Sequence, residues 1–221
     1  MNTRPLKLSF ETGVTLVELL VYIALASIVS AAALKTYVTN TRLCQSQSGL
    51  TEMFQDIRAA MQLMTQEIRL AGCDPLGTNS GRTTTSDDYL GFLNNSNDYL
   101  DTDVNSIHFT HDTVSPSDGW ALSRNENIAY YYKTTGTQKT FYRRCCITNE
   151  EYLLAKNIKD LTFEYFDSNG NVFTISNDHD RTRIRVVKIT LTGQTEKKDI
   201  LTNKLKEKTL TAYVRIRNLD L

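Results

Sequence analysis

The sequence predicts an α+β fold in which one long N-terminal helix, part membrane span and part amphipathic, packs on a C-terminal antiparallel β-sheet domain. Three observations predict it. Positions 14–34 form an apolar run that carries a single charged residue, Glu18. Apolar residues from Leu50 to Ala71 then recur at helical spacing. Beyond position 103 the chain changes to short β-branched and aromatic runs separated by turn residues.

The first run holds about twenty residues, and at about 1.5 Å of rise each they cross roughly 30 Å of hydrocarbon as a helix. Glu18 lies four positions after Val14, near the start of the run. A carboxylate costs on the order of 2.5–3.5 kcal/mol at the centre of a membrane helix and less near an end. A partner must offset that cost. Two ordinary readings of the run are a secretory signal peptide, for which Ala31, Ala32 and Ala33 would mimic a cleavage site, and a plain signal anchor. Under an anchor reading Arg4 and Lys7 hold the leader in the cytoplasm, so everything after Lys35 lies outside.

The helical pattern continues past the span. Leu50, Phe54, Ile57, Met61, Met64, Ile68 and Ala71 are separated by 4, 3, 4, 3, 4 and 3, one stripe along a helix. Leu43 extends it by one heptad. Between them lie polar residues 45–48 and Gly49, which costs about 1 kcal/mol relative to alanine and would soften the helix. Read as one rod, residues 14–71 would be on the order of 85 Å long. The stripe is expected to pack on the protein's own sheet, since no e/g charge pattern accompanies it. Gly72 and Pro75 stop the helix, and positions 74–103 form a polar loop with a short strand at 89–93.

The remainder reads as strands. Positions 104–110 form one, and 128–133 with 140–144 form a hairpin across Thr135 and Gly136. Positions 161–166 pair with 172–175 across Ser168, Asn169 and Gly170, and 183–191 is long and β-branched. Leu210, Ala212, Val214 and Ile216 alternate with Thr211, Tyr213, Arg215 and Arg217, a half-buried strand. Positions 195–208 are a charged connection with a weak helical tendency. Lys+Arg and Asp+Glu are both 25, so no basic face points to nucleic acid.

The string GVTLVELLVYIALASIV, behind a short polar leader with Arg4 and Lys7, resembles the class III signal of type IV prepilins and type II secretion pseudopilins. The resemblance implies that a prepilin peptidase cuts between Gly13 and Val14 and methylates the new terminus. Val14 then becomes the first mature residue and Glu18 the fifth. In that family the fifth-position glutamate meets the terminal amine of a neighbouring subunit during filament assembly, which supplies the missing counter-charge. Two departures stand out: the first mature residue is usually phenylalanine, and Glu11 adds an acid to a normally basic leader. Farther on, MTQEIRLAGC, NIKDLTFEYFDSNGN, RIRVVKITLTG and LTAYVRIRNL are similar in order to PilW-like minor pilins and to the J-type minor pseudopilin of type II secretion. The implied organisation is a cytoplasmic leader at 1–13, a transmembrane and assembly helix at 14–35, its amphipathic continuation at 36–72 and a β-rich, pilin-like domain at 73–221. The implied location is the inner membrane, single-pass with the C-terminal domain outside, and the filament after assembly.

Four cysteines in an exported domain point to disulfides. On a continuous helix Cys44 and Cys73 are about 43 Å apart, while a disulfide joins Cα atoms no more than about 7 Å apart. Adjacent Cys145 and Cys146 cannot reach both. At most one bridge therefore links the helix region and the sheet; Cys73 with Cys145 or Cys146 is the favoured pair, with a vicinal Cys145–Cys146 ring as the alternative and Cys44 then unpaired or bonded to another subunit.

Asp167 to Asn171 reads as a β-turn rather than a calcium loop, because its glycine is misplaced and no glutamate closes it. Asn177, Asp178, His179 and Asp180 make a second polar cluster, and the two together would form an oxygen-rich cation site only if they meet. His108 is expected on an exposed strand face. No catalytic motif, metal-ligand spacing or cofactor loop is present, so neither an enzyme, a metal nor a cofactor is expected.

Two functions remain. One is a minor pilin or pseudopilin acting in assembly initiation or at a filament tip. Its partners would be the prepilin peptidase, other minor and major pilins or pseudopilins, the inner-membrane assembly platform and membrane lipid. The other is a membrane-tethered binding module, an adhesin or substrate receptor, whose tyrosines Tyr130, Tyr131 and Tyr132 contact ligand, although alternation already places Tyr130 and Tyr132 in sheet packing.

Overall fold

The computed structural model describes residues 13–78, 89–94, 102–113, 119–121, 125–145, 148–199 and 202–219. The leader up to position 12, Cys146 and much of the polar loop at 74–103 lie outside the described residues. The chain divides into two compact units, Met1–Gln45 and Ser46–Leu221.

In the first unit the described residues are the opening of helix α1 (Leu16–Ile68) and the three residues before it. Residues 13–42 are exposed throughout, including Leu16, Leu20, Ile23 and Val29. The few hydroxyls on this face bond back to their own helix: Ser27 Oγ donates to Ala24 O at 2.7 Å and Thr36 Oγ1 to Ala32 O at 3.0 Å. Such back-bonding satisfies these hydroxyls without water. Among the described residues this is the one helix long and apolar enough to cross a membrane.

In the second unit the rest of α1 packs on an antiparallel sheet. Ile57, Met61, Met64, Ile68 and Ala71 of the anticipated stripe are buried, joined by Met53 and Ala60. Leu50 and Phe54 are only partly covered, and the Phe54 ring lies under the Arg58 guanidinium at 4.8 Å and the Lys208 ammonium at 5.6 Å. The helix runs through Gly49 without a break. It ends in tight turns at residues 69–72, where Gly72 takes φ +74 and a Cβ would collide with Leu219.

The strands are β1 (Ile107–Thr110), β2 (Asn127–Thr135), β3 (Gln138–Cys145), β4 (Glu150–Phe166), β5 (Val172–Phe173), β6 (Val186–Gln194) and β7 (Glu207–Arg215). Their order across the sheet is β1-β2-β3-β4-β6-β7, with β5 pairing β4 beside its C-terminal end. The anticipated hairpin is β2 and β3, joined through Gly136 at φ +63. The inner face of the sheet, with Phe141, Leu161, Phe163, Ile189 and Val214, closes on the helix stripe. Gly193 of β6 is the closest approach, since a Cβ there would fall 2.7 Å from Met53 Sδ and 2.9 Å from Ile57 Cγ2.

Four expectations are corrected. Strand β4 begins at Glu150, not at position 161: register shifts in β3 and β4, with Asn157 at φ +54, space the inward residues Ala155, Ile158 and Leu161 by three and hide the alternation. A short helix α2 (Asp178–Thr182), closed by a capping box between Asn177 and Asp180, precedes β6. The described residues between β6 and β7 form no helix but a turn around buried Asp199, which accepts from Thr202 N–H at 3.0 Å and Lys206 Nζ at 2.6 Å. Positions 89–93 make a single bridge, Phe92 to Phe109, rather than a strand.

Candidate functional site

Gly13 and Val14 precede the helix in non-helical backbone, and both are exposed. Nothing lies within 4 Å of where a Gly13 Cβ would stand. The peptide bond between them therefore takes no part in helical hydrogen bonding and is open on its surroundings. Thr15 caps α1: its Oγ1 accepts Glu18 N–H at 3.2 Å, and its carbonyl accepts Leu19 N–H at 3.0 Å. Threonine followed three residues later by glutamate is a capping-box spacing. The Glu18 carboxylate does not close the box, because its Oε1 instead accepts the Tyr22 hydroxyl at 2.9 Å. Sequence reasoning misses Tyr22; the i, i+4 spacing of carboxylate and phenol is the signal that finds it. Gly13 and Val14, expected from the sequence to be the processing residues, and Glu18, expected to be the assembly carboxylate, thus fall within one exposed segment of six residues, 13–18.

A second polar group lies in the domain core, where α1 ends on the sheet. Arg143 of β3 donates from Nε to Glu67 Oε2 at 3.0 Å and from Nη2 to Glu67 Oε1 at 3.0 Å, and Tyr130 of β2 donates its hydroxyl to the same carboxylate. The Arg143 side chain is 9% exposed and that of Glu67 18%. Burial, then the Glu67 charge, push the Tyr130 phenol well above its usual range, so it stays a neutral donor. His111 stacks on Phe109 beside this cluster, and burial lowers its pKa despite the nearby Glu67 and Glu126 carboxylates. This arrangement fixes the helix end to two strands; it holds no exposed reacting group.

His108 is buried, not exposed: its Nε2 lies 2.7 Å from Asn127 Oδ1, and both faces of β1 are covered. The two acidic segments do approach, but the Arg183 guanidinium stands between them, 3.7 Å from Asp167 and 3.4 Å from Asp180. Asp167 is otherwise spent on the turn, accepting from Asn169 and Asn171 N–H at 2.9 Å each. Among the described residues no three His, Cys, Asp or Glu side chains are grouped to hold a metal.

The bridge expected from Cys73 to Cys145 is not formed; both thiols are free, as is exposed Cys44. The reason is topological. His111 N–H bonds toward β2, while Gly72 N–H to Thr110 O and Asp112 N–H to Cys73 O run along the opposite edge of β1. Strands β1 and β2 therefore separate Cys73 from Cys145, about three strand spacings or 14 Å, twice the roughly 7 Å that a disulfide spans. Cys146, the other candidate, lies outside the described residues.

On the opposite sheet face, beside the register shifts, Gln138, Thr140, Tyr142, Leu153, Lys156, Asn157 and Glu196 line an open cavity of about 370 Å³. No family model matches the chain, and no curated protein matches it.

Proposed function

We propose that the chain is a minor pilin or pseudopilin acting in assembly initiation or at the tip of a type IV pilus or type II secretion-like filament. One observation carries this reading: Glu18 is the single charge in an otherwise apolar, exposed stretch of α1, four residues after Val14, which the prepilin resemblance makes the first mature residue. Cutting after Gly13 frees an amine on Val14. In lipid that amine and the Glu18 carboxylate of an adjacent subunit each need a partner, and pairing them across subunits satisfies both. Lateral packing of the exposed helix faces follows as the subunit leaves the bilayer for the filament. The prepilin peptidase, sister pilins or pseudopilins and the inner-membrane assembly platform are the partners this requires. No DNA-binding role is invoked.

The test is a pair of variants in the native host. Glu18→Ala should leave the cut intact and lower incorporation into filaments by about tenfold or more, the factor that corresponds to about 1.4 kcal/mol. A bulky replacement of Gly13 should block the cut. Normal filaments in the Glu18→Ala strain contradict the mechanism. A second reading, a membrane-tethered binding module, is favoured by the cavity around Tyr142 and Asn157; filament-free cells that still display the domain and bind ligand would support it.

A further inference from the structure

The apolar half of α1 carries a narrow polar line. Thr15, Glu18 and Tyr22 are spaced by three and four, so they share one helix face, while Leu16, Val17, Leu19, Leu20, Val21 and Ile23 surround them. Two of the three side chains answer to each other: the Tyr22 hydroxyl donates to Glu18 Oε1 at 2.9 Å. Thr15 is engaged one turn below, through Glu18 N–H.

We infer that Tyr22 is a positioning residue for the assembly carboxylate, holding Glu18 in lipid until a neighbouring subunit's amine arrives. The inference rests on the assembly reading above and extends it to a residue which that reading does not use. Its physical basis is reciprocal need. A carboxylate without a partner in hydrocarbon is strongly disfavoured, and a phenol O–H buried without an acceptor is disfavoured as well. At i and i+4 each supplies what the other lacks, and a hydrogen bond to an ionised acceptor is about twice as strong as one between neutral groups. The geometry also leaves a vacancy of the right kind. Tyr22 engages Oε1, and among the described residues Oε2 of Glu18 accepts no hydrogen bond, so the second oxygen keeps its capacity to accept from an amine. The bond to Tyr22 competes with pairing of the carboxylate to its own Val14 amine, and the second oxygen leaves pairing between chains open.

Two measurements test this. In the first, the full-length chain, isotope-labelled at tyrosine Cζ and glutamate Cδ, is placed in phosphatidylethanolamine and phosphatidylglycerol bilayers and studied by solid-state NMR. A correlation between Glu18 Cδ and Tyr22 Cζ is expected, with the Tyr22 Cζ resonance moving in the Glu18→Ala variant. A Tyr22 resonance that is the same in both chains, as for a phenol anchored at the headgroups, overturns the inference. In the second, filament incorporation is compared for Tyr22→Phe, Glu18→Ala and the double variant. Tyr22→Phe should lose about tenfold, the scale of one hydrogen bond to a charged group, and should add nothing in the Glu18→Ala background. Equal losses in both backgrounds would show that Tyr22 acts independently of Glu18. Should the chain prove not to be cut after Gly13, the assembly reading falls by that result alone, whereas the bilayer measurement still decides whether the two side chains pair.

Discussion

A carboxylate on a lipid-length apolar helix and a guanidinium in a protein core face the same requirement, and this chain meets it twice. Glu18 finds Tyr22 within its own helix; Arg143 finds Glu67 and, through it, Tyr130. Breaking the second set by Glu67→Ala leaves the nearly buried Arg143 charge and the Tyr130 hydroxyl unanswered. Because Glu67 retains some solvent contact, the expected loss is about 2 kcal/mol, below the usual cost of breaking a fully buried pair, measured as a shift in the urea midpoint. His111 supplies a pH dependence. Burial holds its folded-state pKa below the ordinary value of about 6.5, so the unfolded chain binds the extra proton first. Stability is then complete above about 6.5 and falls as pH drops through that value toward the lower folded one. Denaturation midpoints between pH 7.5 and 5 should show this slope, and His111→Gln should flatten it. Asp167 and Asp180, whose pKa values are lowered chiefly by backbone hydrogen bonds, add losses of the same sign, but only as pH falls through the carboxylate range.

At the scale of elements, the long helix and the strong hairpin were legible because their periods are unbroken. The stripe from Ile57 to Ala71 and the alternation in β7 come directly from residue spacing. What the spacing hides is what bulges and buried polar pairs disturb. Ala155 and Ile158, three apart from each other and from Leu161, hide the first half of β4, yet they lie on its inward face. Helix α2 is only five residues long, and its one sequence signal is Asn177 followed three residues later by Asp180. The burial of His108 was illegible because it depends on tertiary contacts, with Thr102 and Leu93 on one side of β1 and Asn127 of β2 on the other. Two glycines, one in the helix and one on the sheet that it packs against, give opposite predictions. Gly49 is helical with open space around it, so Gly49→Ala should stabilise the domain by up to about 1 kcal/mol. Gly193→Ala should destabilise it by about 1–3 kcal/mol, since Met53 and Ile57 occupy the space that a methyl needs. Thermal unfolding of the two variants side by side checks both signs.

For the whole molecule, the division into an exposed apolar helix and a domain with its own core is the arrangement that a membrane-drawn filament subunit needs. In the proposed function the exposed helix supplies lateral contacts, while the second unit carries a hydrophobic core of its own. The proposed site is written in the sequence as far as Gly13, Val14 and Glu18, because a glycine, an apolar run and an acid at fixed offset form a linear pattern. Tyr22 is not, since its role appears only when the helix brings two side chains together. The Cys145 option for the cysteine bridge fails for the converse reason: strand order, which separates Cys73 from Cys145, is not written in spacing. The central claim is that processing exposes Val14 as a charged terminus for Glu18 to neutralise. Intact-mass and amino-terminal analysis of the protein recovered from its native membrane tests this most directly. The account predicts a chain that begins at Val14 and carries one added methyl group; a chain that begins at Met1, or after Ala33, would contradict it.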